Sequence, residues 1–170
     1  LKTFTALQVY GTCAITSVTA QNTLGVTGAS DLTPEFVGLQ IDAVLSDIGA
    51  DAVKTGMLAN AGIVDMVADK VKEHGIKKLV IDPVMVAKSG DHLLAPDARQ
   101  ALIEKLLPLA LVITPNLDEA AVLTGTTKIS SVDEMVTASR RLFELGTPYV
   151  IIKGGHLSGE ATDILFDGQQ

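Results

Sequence analysis

Residues 79–85 read LVIDPVM, a short apolar run that leads directly into an aspartate and a proline. A run of this length, rich in aliphatic residues, is typical of a strand covered on both faces of a sheet. Comparable runs precede polar residues at Lys54, Thr114 and Lys153. Helical patterns separate these runs, and strands that alternate with helices predict right-handed βαβ units. The sequence therefore predicts an α/β fold with a mostly parallel central sheet and helices on both faces.

The other predicted elements follow from caps, periodicity and breakers. Residue Cys13 falls inside an apolar, β-branched run, so we interpret it as a small core residue and not as a nucleophile. Strands are predicted at residues 13–20, 52–54, 79–82, 109–114, 149–153 and 162–166. Helices are predicted at residues 1–10, 33–48, 60–74, 96–107, 116–125 and 131–145.

Composition excludes several function classes. The net charge of −7 argues against a general nucleic-acid surface, which needs clustered Lys and Arg. No apolar run reaches the length of a membrane span. The single cysteine rules out an intramolecular disulfide and fits a reducing compartment, so we expect a cytoplasmic protein. The sequence contains no GxxxxGK[ST] loop, no GxGxxG, no zinc-type Cys/His spacing and no GxSxG.

Polar residues follow the predicted core strands at four places. These are residues 54–57 (KTGM), 82–85 (DPVM), 114–116 (TPN) and 153–156 (KGGH). Because the carboxyl ends of parallel strands meet at one edge of a sheet, where ligands bind, we expect a binding site there. The alternative is that Gly, Pro and Asn at these places are ordinary turn formers.

Two features of this edge allow two interpretations each. Asn116 and Glu119 have nearly the spacing of a capping box, or they face the phosphates and magnesium of a nucleotide from a helix start. The local pattern favours the cap. His156 follows two glycines and is ambiguous, whereas His74 is interpreted as a helix-end charge and His92 as a loop residue.

Six motifs occur in order across essentially the whole chain: LKTFTAL-VYG, AITSVTAQNTLGV, DAVKTGML, DPVMVAKSGD-LL, ITPNLDEAA-LTG and VIIKGGHL. In this order the chain resembles the hydroxymethylpyrimidine and phosphomethylpyrimidine kinases of thiamine biosynthesis, in the ribokinase-like superfamily. The resemblance implies a ribokinase-like fold and phosphorylation, dependent on ATP and Mg²⁺, of a pyrimidine's hydroxymethyl group and then of the resulting monophosphate. It also suggests a possible homodimer.

The resemblance implies roles for individual residues. Gln21, in the motif AQNT, would bind the pyrimidine edge, because an amide donates and accepts hydrogen bonds at once. Thr19, Met57 and Val84 would line the same pocket. Asp82, Asn116 and Glu119 would organise phosphates and Mg²⁺, with Glu119 as the metal ligand. Lys153 would approach the phosphates of ATP.

The family pattern also implies segments outside these 170 residues. A first strand and a Gly-rich turn, with an acidic residue, would precede Leu1. A GTGC-type segment beyond Gln170 would supply an anion hole and the residue that activates the hydroxyl. We therefore expect residues 1–170 to be a partial kinase domain that is inactive alone. The alternatives are a pyridoxine or pyridoxal kinase of the same superfamily, which the AQNT motif disfavours, and a non-catalytic fragment that folds and binds a ligand.

Overall fold

The computed structural model describes residues 1–85, 95–155, 157 and 161–169. Within them, seven strands form two sheets, and the second to sixth helices contribute residues to the core packed around the larger sheet. The strands are β1 (Ser17–Gln21), β2 (Val26–Asp31), β3 (Val53–Thr55), β4 (Leu79–Ile81), β5 (Val112–Ile113), β6 (Tyr149–Ile152) and β7 (Ile164–Phe166). The helices are α1 (Lys2–Ala6), α2 (Pro34–Leu45), α3 (Ala61–Glu73), α4 (Pro96–Ala101), α5 (Leu117–Thr124) and α6 (Val132–Glu144).

The larger sheet has the strand order β3-β4-β5-β6-β7. Its first four strands run parallel to their neighbours, and β7 pairs antiparallel with β6. This arrangement confirms the predicted α/β fold and the mostly parallel sheet. It also brings the carboxyl ends of β3, β4, β5 and β6 to one edge, as the sequence predicted.

The core is aliphatic, as the composition requires. The predicted apolar face of α3, made of Ile63, Val64, Val67 and Val71, is buried. Burying one such side chain contributes about 1.5–3 kcal/mol relative to leaving it in water. Among the described residues, none of the helices has the length and hydropathy needed to cross a membrane. The largest fully buried side chains are Ile63, Leu79, Ile81, Leu106, Leu107, Ile113, Met135, Leu142 and Ile152.

Side-chain caps fix several helix starts. Thr33 and Asn60 cap α2 and α3 by accepting the N–H three residues ahead. Ser131 caps α6 in the same way, at 3.3 Å from the N–H of Glu134. The Glu134 carboxylate, however, accepts from the N–H of Ser130 at 2.7 Å. In the predicted capping box, the Glu134 carboxylate would accept from the N–H of Ser131. In the structure it accepts from the residue before, Ser130.

The predicted strand at residues 13–20 is correct only in its second half. β1 begins at Ser17 and pairs antiparallel with β2, in a two-stranded sheet separate from the main one. Cys13 lies outside β1 and is exposed, so its interpretation as a core residue is wrong. An apolar, β-branched run favours a strand, but burial depends on which elements cover it.

Two other predicted elements are shorter in the structure, and a third changes its helix type along its length. The helix expected at residues 1–10 is confined to α1, and the strand expected at residues 109–114 is confined to β5. The helix expected at residues 96–107 continues past α4 as a π-helical turn, Leu102–Leu106, and a 3₁₀ turn, Leu107–Leu109. Pro108 lies in that 3₁₀ turn, and a proline cannot continue regular helical hydrogen bonding.

Candidate functional site

Three charged side chains from different strands meet at the carboxyl edge of the main sheet. Asp82 follows β4 and lies between Lys54 of β3 and Lys153, which follows β6. The Nζ atom of Lys153 is 2.9 Å from Oδ1 of Asp82, and the Nζ atom of Lys54 is 3.1 Å from Oδ2. We call Lys54, Asp82 and Lys153 the lysine–aspartate group.

Backbone hydrogen bonds fix the two residues of this group that follow strands. The N–H of Asp82 donates to the carbonyl oxygen of Thr55 at 3.1 Å, which extends the pairing of β3 with β4. The N–H of Lys153 donates to the carbonyl oxygen of Pro115 at 2.9 Å, and Lys153 forms a parallel bridge with Asn116. Both side chains therefore project from continuations of the sheet ladder, which position them more precisely than free loops would.

The lysines determine the charge state of Asp82. Burial alone would raise the pKa of its carboxyl, but hydrogen bonds from Lys153 and Lys54 outweigh burial and hold that pKa below its ordinary value. Asp82 is therefore ionised at neutral pH, and two ammonium groups surround one carboxylate. The two ammonium groups are the donors at this edge from which phosphate oxygens could accept hydrogen bonds.

Asn116 and Glu119 form a complete capping box at the start of α5. The Asn116 side chain accepts from the N–H of Glu119, and the Glu119 carboxylate accepts from the N–H of Asn116, both at 2.8 Å. The cap interpretation is therefore confirmed. Burial raises the pKa of Glu119, whereas the Asn116 N–H and the charge of Lys153 lower it and the charge of Asp82 raises it. The capping carboxylate thus lies within electrostatic reach of the lysine–aspartate group.

The other expected substrate residues divide between two places. Met57 and Val84 are half-buried and lie just beyond β3 and β4, at the same edge as Asp82. Thr19 is half-buried in β1, and Gln21 is exposed at its end. Within the described parts of the chain, no hydrogen bond or ion pair joins Gln21 to the lysine–aspartate group.

One contact connects the β1–β2 hairpin to this edge. The hydroxyl of Thr16, the residue before β1, donates to the carbonyl oxygen of Met57 at 2.7 Å. The base of the hairpin therefore lies at the sheet edge, while Gln21 occupies the opposite end of β1.

Gly154 has a structural reason to be glycine. A Cβ atom placed there would lie 2.0 Å from the carbonyl oxygen of Thr162, so only glycine allows this close approach of the backbones. Its N–H also donates to Oδ1 of Asp163 at 3.0 Å. The KGGH motif therefore reflects packing as well as any binding role. His156 and His92 both lie outside the described residues.

Known proteins similar to this chain show its family. Residues 1–170 match the family described as phosphomethylpyrimidine kinase. The chain belongs to that family. It is 53% identical over 169 residues to a hydroxymethylpyrimidine/phosphomethylpyrimidine kinase of Rhizobium meliloti (strain 1021), and the match covers 99% of this chain and 63% of that relative. The chain thus spans less than two thirds of the length of this curated relative.

One solved structure supports the same assignment, and a second shares the fold. A phosphomethylpyrimidine kinase from Clostridium difficile 630 has a TM-score of 0.89 at 46% identity, covering 99% of this chain and 73% of that one. An ADP complex of Bacillus subtilis pyridoxal kinase has a TM-score of 0.89 at 40% identity, covering 99% of this chain and 65% of that one. The predicted ribokinase-like fold is confirmed by these neighbours.

The role of Lys54 in the lysine–aspartate group was not predicted from the sequence, in which residues 54–57 form one of four polar clusters. The signal available was a lysine at the end of the predicted strand 52–54, next to the predicted binding edge. What could not be seen is that the Lys54 amine reaches Asp82, 28 residues further along the chain.

Proposed function

We propose that the protein encoded by the complete gene is a cytoplasmic kinase of thiamine biosynthesis. It transfers phosphate from ATP to 4-amino-5-hydroxymethyl-2-methylpyrimidine and then to the resulting monophosphate. The observation that carries the proposal is the lysine–aspartate group at the carboxyl edge of the sheet, in a chain of the phosphomethylpyrimidine kinase family. We expect small molecules as partners, and neither nucleic acid nor a membrane.

The lysine–aspartate group and Asn116 form the nucleotide part of the site. Phosphoryl transfer depends on positioning and on stabilising the charge of the phosphate oxygens. Lys153 supplies a cation that exchanges its contact with Asp82 for a phosphate oxygen, and Asn116 fixes the start of α5 beside it. Support comes from the pairing distances of 2.9 and 3.1 Å and from the similar Bacillus subtilis protein, which was solved with ADP.

Glu119 is the proposed Mg²⁺ ligand. Within residues 1–85, 95–155, 157 and 161–169, no group of three or more His, Cys, Asp or Glu side chains could hold a metal. Mg²⁺ in kinases is bound by one or two carboxylates together with substrate phosphates and water, so a full protein cage is not required. The buried carboxylate of Glu119, close to Asp82, fits an ion that arrives with ATP. An ion held there by Glu119 would neutralise phosphate charge.

The pyrimidine is proposed to bind between the hairpin and the sheet edge. Gln21 offers an amide to the aminopyrimidine, while Thr19, Met57 and Val84 line the pocket. The half-buried positions of Thr19, Met57 and Val84 and the Thr16–Met57 hydrogen bond of 2.7 Å support this placement.

The test is an ATP-dependent phosphorylation assay on protein expressed from the complete gene. We expect the hydroxymethylpyrimidine to be phosphorylated first and its monophosphate next. Pyridoxal is the comparison substrate, because a pyridoxal kinase has the same fold at 40% identity. A higher kcat/KM for pyridoxal would replace the proposal with that second candidate function. Absence of phosphorylation of either substrate would contradict a kinase.

Two expectations accompany this proposal. Residues 1–170 expressed alone are expected to fold but to show no substantial turnover, because the anion hole and the activating residue are expected elsewhere. Full turnover by this fragment would contradict that expectation. A homodimer is also expected, and light scattering of the purified protein measures it directly.

A further inference from the structure

We propose that Lys54 is a positioning residue for phosphate transfer. It keeps the Asp82 carboxylate paired and in place while Lys153 turns from Asp82 to the nucleotide phosphates. The inference rests on the proposed function, since it requires a phosphate ligand at this edge. It assigns a role to a lysine on β3, on the far side of β4 from Lys153.

The position of the Lys54 amine is the first support. Lys54 pairs in register with Val80, yet its Nζ atom reaches the end of the strand, at 3.4 Å from the carbonyl oxygen of Thr55 and 3.1 Å from Oδ2 of Asp82. A Cβ atom placed on Gly56 would lie 4.0 Å from this Nζ atom. The Lys54 amine therefore lies over the carboxyl end of β3, beside Gly56.

The second support is that the two carboxylate oxygens of Asp82 pair with different lysines. Each oxygen has its own lysine, with Lys153 on Oδ1 and Lys54 on Oδ2. The Asp82 side chain is only 22% exposed, so water compensates poorly for a lost partner. With Lys153 as its only cation, Asp82 would retain that lysine and compete with the phosphates for it.

Lys54 removes this competition. When Lys153 moves to a phosphate, Asp82 keeps one charge-assisted hydrogen bond and remains ionised and oriented. Loss of Lys54 would lower the fraction of the protein in which Lys153 is free to bind, and the apparent affinity for nucleotide falls by that fraction. The effect should therefore appear in nucleotide binding and not in pyrimidine binding.

The alternative is that Lys54 forms an ordinary surface ion pair. Its side chain is 46% exposed, and exposed pairs contribute little to folding stability. Both interpretations predict a folded Lys54→Met variant, so thermal unfolding alone does not distinguish them. Nucleotide affinity does, because a surface pair has no reason to affect it.

The experiment uses protein expressed from the complete gene, in four forms: wild type, Lys54→Met, Lys54→Arg and the control Lys77→Met. Lys77 is exposed before β4, at the opposite end of that strand, and its replacement removes the same charge. Binding of ADP is measured by calorimetry, KM values for ATP and for the pyrimidine by turnover, and folding by thermal unfolding.

We expect Lys54→Met to weaken ADP binding and to raise KM for ATP by about tenfold, the effect of losing one hydrogen bond to a charged group. KM for the pyrimidine and the unfolding midpoint should stay at the wild-type values. Lys54→Arg should restore most of the ADP affinity, and Lys77→Met should match wild type. Should Lys54→Met unfold, Lys54→Gln gives the same loss of charge in a shorter side chain.

Wild-type ADP affinity in Lys54→Met and Lys54→Gln would overturn this inference and leave the proposed function intact. Equal weakening in Lys77→Met would overturn it as well, since the effect would then come from net charge alone. A wild-type protein that neither binds ADP nor phosphorylates the pyrimidine would overturn the proposed function, and the role of Lys54 with it.

Discussion

The main sheet and the β1–β2 hairpin both carry apolar side chains but place them in opposite environments. In β4, Leu79 and Ile81 are fully buried, whereas in β1 Val18 is 58% exposed. β4 has a strand on each side and helices packed on its sheet, while β1 has a single partner strand. The comparison shows that an apolar side chain is buried by its neighbours, and that the same residue types contribute very differently to stability in the two regions.

The two regions also differ in the polar groups they carry. At the sheet edge, Asp82 and Lys153 are charged and attached to hydrogen-bonded continuations of strands. In the hairpin, Thr19 and Gln21 are neutral, and Gln21 is exposed. Under the proposed function, the sheet edge binds the charged phosphates and the hairpin binds the neutral ring. Variants on either side should therefore affect different properties.

The largest effect is expected for Lys153→Met at the sheet edge. Losing a cation that stabilises transferring phosphate should lower turnover by about a hundred- to a thousandfold. Steady-state kinetics with ATP and the pyrimidine measure this loss, and thermal unfolding checks the fold. A decrease of less than about threefold would place the phosphates elsewhere.

Ile81→Ala tests the buried side of the comparison. Ile81 is fully buried in β4, so the substitution removes apolar contacts and leaves a cavity. The free energy of unfolding should decrease by about 2–5 kcal/mol. Urea unfolding of wild type and variant measures the difference, and a loss well under that range would mean that the sheet repacks around the site.

Gln21→Ala should weaken pyrimidine binding without affecting folding. A ring donor or acceptor left unpaired costs about 1–3 kcal/mol, which corresponds to roughly ten- to a hundredfold in affinity. Calorimetry with the pyrimidine gives the affinity, and ADP binding should remain unchanged. Thr23→Ala, in the exposed turn of the same hairpin, is the matched control. Unchanged pyrimidine affinity would make Gln21 an ordinary solvated residue.

Glu119→Gln separates the cap from a metal role. Gln can serve in a capping box, so α5 should remain intact. If Glu119 helps to hold Mg²⁺ against the phosphates, turnover should fall by about tenfold or more and require a higher Mg²⁺ concentration. Magnesium titrations of turnover for both proteins test this. Superimposable titrations would mean that Glu119 acts only as a cap.

The same variant gives a pH test with a definite sign. Burial raises the pKa of folded Glu119 above its ordinary value of 4.5, so folding favours the protonated form. That contribution is fully present below pH 4.5 and is lost as pH rises through the folded pKa. Between pH 4.5 and the higher pKa of folded Glu119, wild type should therefore lose stability relative to Glu119→Gln. Thermal unfolding midpoints of both proteins, measured below pH 4.5 and at neutral pH, check the sign.

Val18→Ala should have the smallest effect and completes the pair with Ile81→Ala. Val18 is largely exposed, and surface substitutions usually change stability by less than about 0.5 kcal/mol. A cost close to that of Ile81→Ala, in the same urea experiment, would show that another part of the protein, or a second copy, covers the hairpin in solution.

Much of the main sheet could be predicted because its signals are local. Caps at Thr33 and Asn60 and the apolar face of α3 depend on residues a few positions apart. The alternation of strands and helices then placed Asp82 and Lys153 at one edge, and the structure joins them at 2.9 Å.

The predictions that were wrong or missing depend on contacts between residues far apart in the chain. Nothing near Cys13 indicates that its run lies outside the main sheet, because that depends on which strand pairs with β1. β2, with the sequence VTGASD, has too few apolar residues to signal a strand. The contact of Lys54 with Asp82 depends on the register of two strands separated by α3. Family resemblance supplied the expected roles, which remain predictions.

The three residues of the lysine–aspartate group are far apart in the chain, which has a consequence for folding during translation. Lys153 and Asp82 are 71 residues apart, and Asp82 is itself 28 residues beyond Lys54. During translation, β3 and β4 emerge from the ribosome well before β6, so a nascent chain that ends before Lys153 lacks the second cation. Under the proposed function, a nucleotide would therefore not guide the early stages of folding. It would act only on the assembled sheet, where binding would stabilise the finished fold by mass action.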